Sequence, residues 1–159
     1  MTDERSELEW HKKMAKSLFN RTWDLIDKGA DRTRADNDDM IHSAHASRYH
    51  WGVIVESGEE GTGPVNLARG EWQISRVYAL LELPKAAMYH ANRSLEICEE
   101  NGIGDFDLSF AYEALARAHS LIDRDADDFK KYFELAKKSA KQIEKEGNKK
   151  YLLSELDTI

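Results

Sequence analysis

Residues 67–82 read L-A-R-G-E-W-Q-I-S-R-V-Y-A-L-L-E, and residues 108–123, 41 positions on, read L-S-F-A-Y-E-A-L-A-R-A-H-S-L-I-D. In this register small residues fall on small ones: Ala68 on Ser109, Gly70 on Ala111, Ser75 on Ala116. Aliphatic residues fall on aliphatic ones, Leu67 on Leu108, Ile74 on Leu115 and Leu80 on Leu121, and Arg76 falls on Arg117. An internal repeat of this period with helical spacing predicts stacked helix pairs, since such units bury their apolar faces only against one another. The fold class expected is therefore all-α.

Composition agrees. Two prolines in 159 residues and no sustained alternation of apolar and polar residues argue against strands. The length suits one domain, residues 1–159. About seven helices are expected, as pairs at about 7–55, 64–101 and 105–145 with a capping helix at 149–156. Pro64 and Pro84 stand where a first helical turn tolerates proline. Gly29 and Gly102 stand where helices end, and Asp105 is placed as an N-cap. The second helix is expected from Asp38, and Gly147-Asn148 is expected to break the sixth. The acidic, glycine-rich run at 56–63 lacks the G-K-[ST] ending of a phosphate loop and reads as a mobile turn.

The formal charge of −7 argues against nonspecific nucleic-acid binding and against anionic membranes. No apolar run reaches the ~20 residues needed to span a bilayer. The charged start Met1-Thr2-Asp3-Glu4-Arg5 predicts no signal peptide. A single cysteine, Cys98, rules out an internal disulfide and fits the cytoplasm, with Cys98 itself expected as a small core residue.

The helix pairs at 66–101 and 107–145 resemble tetratricopeptide (TPR) units. Ile74, Ser75 and Tyr78 match the first-helix pattern, and Ala87, Ala91, Ser94 and Leu95 match the second. Leu115, Ala116 and His119, then Tyr132, Ala136, Ser139 and Ala140, take the same places after four extra residues at 124–127. His119 for an aromatic and Tyr132 for a small residue are departures. The chain is also similar to a group of small prokaryotic TPR-like proteins, a likeness that supplies no reaction.

The resemblance implies a concave ligand surface built from the first helix of each pair. Carried over by position, it offers Arg69, Trp72, Gln73 and Arg76 from one helix, and Phe110, Glu113 and Arg117 from another. Arginine forks suit carboxylates or phosphates, so the implied function is a non-catalytic scaffold that engages a peptide or protein segment, acidic ones included. The competing reading packs Trp72 between helices and pairs each arginine with an acid such as Glu71, Glu82 or Glu113.

A second constellation, Asp38-x-x-x-His42-x-x-His45-x-x-x-Tyr49, places its residues on one helix face. Asp38, His42 and His45 are candidates for a divalent metal or an acid/base centre, which would make the chain a small enzyme or ligand sensor. No H-E-x-x-H completes the site, and ordinary Asp–His contacts at i,i+4 would explain the pattern equally. No other cofactor is implied. A third reading is self-association as a homodimer, with Leu152, Leu153 and Leu156 covering a repeat end in cis or in trans.

Overall fold

Short turns between strongly periodic helices leave the chain one economical packing, neighbour against neighbour. A computed structural model describes residues 3–159; Met1 and Thr2, the start of the charged amino terminus, lie outside the described residues. Among these there are seven α-helices and no strands: α1 (Glu4–Asp27), α2 (Arg34–Glu56), α3 (Pro64–Leu80), α4 (Pro84–Glu100), α5 (Asp105–Ser120), α6 (Asp127–Ala140) and α7 (Glu146–Leu156). A 3-10 turn at Gly29–Asp31 joins the first two. No helix is long and apolar enough to cross a membrane among the described residues.

The helices pack as the antiparallel pairs α1/α2, α3/α4 and α5/α6, with α7 against the last pair. Each second helix also packs on the next first helix, and α3 touches α5 as α5 touches α7. One layer is therefore formed by α1, α3, α5 and α7, and the other by α2, α4 and α6. The repeat persists at the level of single bonds. Ser94 Oγ donates to the Ala68 carbonyl (2.9 Å), and its counterpart Ser139 meets Ser109, the counterpart of Ala68, at 2.8 Å. Small buried residues at the crossings, among them Ala68, Ala87, Ala91, Ala111 and Ala116, let the helices approach closely. Gly70 is the tightest case. A Cβ there would lie 2.8 Å from Arg48 Cδ, closer than carbon atoms can pack.

Three boundaries differ from the sequence-based expectation. Helix α2 starts at Arg34, because Thr33 and Asp36 form a reciprocal capping box that satisfies two orphan amides. Asp105 occupies the first turn of α5, with Gly104 as the cap residue. The break after α6 falls at 141–145, ahead of Gly147, which lies inside α7. Ile143 explains that shift, since it is buried in the connection and packs with Phe110, Ala140 and Leu152. Leu152 and Leu156 are buried within the chain while Leu153 is exposed. Two of the three terminal leucines thus cover the repeat end in cis.

Candidate functional site

Arg76 and Arg117, the polar identity of the repeat, project from successive helices of the same layer. Between them sits Glu113, fully buried. Its Oε1 accepts from Arg76 Nη2 at 3.3 Å and from Arg117 Nε at 2.8 Å. Glu155 of α7 closes the arrangement: its Oε2 lies 2.7 Å from Arg76 Nη2, and its backbone carbonyl accepts from Arg117 Nη2 at 3.1 Å. Thr158 Oγ1 accepts from the same nitrogen at 2.7 Å. Burial works against the charge of Arg76, yet the carboxylates of Glu113 and Glu155 outweigh it and raise its pKa. These groups form a two-arginine, two-glutamate lattice that ties α3, α5 and α7 together.

Four of the seven positions expected on the concave surface are occupied within the chain. Arg76, Glu113 and Arg117 bond to one another. Gln73 is fully buried, and its amide donates to the Phe19 carbonyl at 3.0 Å. The physical reason is the layer itself. Helix α1 lies over Gln73, and α7 brings Glu155 onto Arg76 and Arg117, which a helical wheel of α3 or α5 alone would leave outward.

The remaining three positions, Arg69, Trp72 and Phe110, do share a cavity. It measures about 280 Å³ and is walled by Phe19 and Trp23 of α1, Trp72 of α3, Phe106 and Phe110 of α5, and Tyr151 of α7. The rings brace one another. Trp72 lies 5.5 Å from Trp23 in a tilted contact and 5.3 Å from Phe110 edge-to-face, and Phe106 lies 4.6 Å from Phe110. Such pairs add about 0.5–1.5 kcal/mol each beyond the area they bury. Arg76 stands over the Trp72 ring at 5.6 Å. At the rim, Arg69 grips Asp107 with two hydrogen bonds of 2.8 and 3.0 Å, and that bonding raises its pKa. The Trp72 indole nitrogen is buried with no hydrogen-bond partner among the described residues.

A second cavity of about 240 Å³ adjoins the first and shares Phe19 and Arg69 with it. Its other walls are Lys16, Asn20, Trp51 and Asn66. Sequence reasoning missed Phe19, Trp23, Phe106 and Tyr151, because it took ligand residues only from the two matched repeats. The signal was present: Phe19/Trp23 and Phe106/Phe110 are aromatic pairs at i,i+4, one helix face each.

The histidines of α2 separate. Asp38 and His42 are exposed, and neither meets His45 in a bond. His45 instead turns inward, its Nε2 2.8 Å from the Tyr78 hydroxyl and its ring 5.4 Å from that of His90. His90 Nδ1 lies 2.6 Å from Glu71 Oε2, and Arg48 Nε donates to Glu71 Oε1 at 3.2 Å. Gly52 and Gly70 leave the space that the Arg48 side chain occupies. No three histidine, cysteine or acidic side chains converge as metal ligands among the described residues. Cys98 is buried in a core cluster with Ala68 and Ile97, and burial pushes its thiol up to about 11.

This polar core makes stability pH-dependent. Burial, then the neighbouring His90, lowers the His45 pKa. Burial, then His11, lowers that of His50. At Glu71 burial opposes ionisation, but His90 and Arg48 prevail and hold the carboxyl below its ordinary value. Below the ordinary histidine pKa of ~6.5 the unfolded chain binds more protons than the native one, so stability falls with acid. Glu71 acts in the same direction at lower pH, its contribution being lost as the pH falls below about 4.5. The urea midpoint is expected to drop between about pH 7.5 and pH 5.5, and less steeply in His45→Gln. A midpoint flat over that range would contradict the half-buried, neutral state of His45.

Comparison with known protein families, curated proteins and solved structures finds no match to this chain.

Proposed function

We propose that this chain is a non-catalytic binding scaffold of TPR-like build that engages a peptide or protein segment through the layer of α1, α3, α5 and α7. The observation that carries this reading is the cavity walled by six aromatic side chains from four helices of one layer. A dry cavity of about 150 Å³ is enough to hold benzene, so the volume here accommodates a phenylalanine, leucine or tryptophan side chain. The one acid in its walls, Asp107, is bound by Arg69, and the one serine, Ser94, donates its hydroxyl to the Ala68 carbonyl. Aromatic walls packed by other aromatics are rigid, which lowers the entropy lost on binding.

The anchor role falls to the rings and away from Arg76 and Arg117. Peptides from a random library panned on the protein are expected to be enriched in one aromatic or large aliphatic residue. Trp23→Ala removes a half-buried wall and should weaken the enriched peptides roughly 30-fold, the size of a hot-spot truncation. Peptides that bind Trp23→Ala as tightly as the parent protein, or a library with no enrichment, would overturn the reading.

A further inference from the structure

The second cavity gives the aromatic one a chemical direction. It carries Lys16, a cation with no acid beside it in the cavity wall, and Arg69, whose charge is paired with Asp107, in a chain whose formal charge is −7. Asn66 spends its carbonyl oxygen on the Gly63 amide at 2.9 Å, which leaves its amide hydrogens as donors. Asn20 is exposed beside it, and among the described residues neither the Lys16 nor the Asn20 side chain has a hydrogen-bonding partner in the chain. Trp51 and Phe19 supply apolar flanks to this shelf. All of the polar side chains offered by the shelf can donate, and its two ionic groups are cations. Because Phe19 and Arg69 wall both cavities, the two lie side by side and can be reached by adjacent residues of one ligand.

We propose that the preferred partner is a peptide segment in which an aromatic or large aliphatic side chain is directly followed by an acidic residue. The ring enters the cavity between Trp23, Trp72 and Phe110, and the adjacent carboxylate is received by Lys16 and the Asn20 and Asn66 amides, while Arg69 stays paired with Asp107 at the rim. This rests on the scaffold reading above and adds the charge requirement to it. An exposed cation recognises a carboxylate modestly and in a salt-dependent way, so the apolar group supplies affinity and the acid supplies selection.

The test uses two blocked octapeptides, acetyl-GSGFDGSG-amide and acetyl-GSGFNGSG-amide, titrated into the whole protein and followed by tryptophan fluorescence. The Asp peptide is expected to bind roughly fivefold more tightly at low salt. That ratio should shrink to about twofold or less in Lys16→Gln, and likewise at about 500 mM salt, where the screening length is only a few ångströms. Lys16 is exposed, so its substitution leaves the fold intact, which circular dichroism checks. Equal affinity of the two peptides would overturn the charge requirement and leave the apolar anchor standing. A preference of full size in Lys16→Gln would overturn the shelf as its source. Failure of both peptides to bind would overturn the scaffold reading together with it.

Discussion

Glu113→Ala is expected to destabilise the protein by about 3–5 kcal/mol, the usual consequence of breaking a buried ionic network by removing one member. For a chain of this size that corresponds to a fall in Tm of roughly 10 °C. The cause is specific. Glu113 is fully buried and is the group against which both Arg76 and Arg117 are neutralised. Its removal leaves two guanidinium groups to share Glu155, which reaches Arg76 well at 2.7 Å and Arg117 poorly at 3.9 Å. The double substitution Arg76→Met/Glu113→Leu should recover much of the loss, because apolar groups of similar volume remove the desolvation penalty together with the attraction. Arg117 then keeps Glu155 and Thr158 as partners. Thermal denaturation of the three proteins measures this. An unchanged Tm in Glu113→Ala would mean that the arginines are not architectural, and would return them to the ligand surface.

Trp72→Ala is expected to cost about 3 kcal/mol and to abolish peptide binding, while Trp72→Phe should stay within about 1 kcal/mol of the parent. The indole is the hub of the aromatic wall, touching Trp23 and Phe110 and lying under Arg76. Alanine there opens a void between three helices. Phenylalanine keeps most of the contact area and deletes the unpartnered indole N–H, so the lost volume is partly offset by removal of an unsatisfied buried donor. Chemical denaturation of both variants separates the two contributions. Equal losses in both would show that the N–H, not the ring area, stabilises the site.

The helices and their pairing were legible because packing constrains residue type locally. The Ala68/Ser109 correspondence of the 41-residue register and the Ser94/Ser139 correspondence, displaced by the four extra residues at 124–127, reappear as the hydrogen-bonded pairs Ser94–Ala68 and Ser139–Ser109. The site was legible only in part. Arg69, Trp72 and Phe110 reach the cavity, whereas Gln73, Arg76, Glu113 and Arg117 are occupied by Phe19, Glu155, Thr158 and one another. A helical wheel assigns a residue to a face of its own helix, and it cannot tell which neighbour covers that face. The same limit separated His45 from His42. One turn apart on α2, the first lies under α3 and α4 while the second stays in solvent. Phe19, Trp23 and Tyr151 enter the site from helices outside the two matched repeats, so the repeat register could not place them.

The most direct measurement is an ¹⁵N–¹H spectrum of the four tryptophan indole groups, Trp10, Trp23, Trp51 and Trp72, recorded while acetyl-GSGFDGSG-amide is added. Ring currents from a phenylalanine seated in the cavity should move the Trp23 and Trp72 signals most, with Trp51 shifting less and Trp10 staying in place. Saturable shifts confined to Trp10, or no shift at any concentration the peptide allows, would contradict the assignment of the aromatic cavity as the binding site.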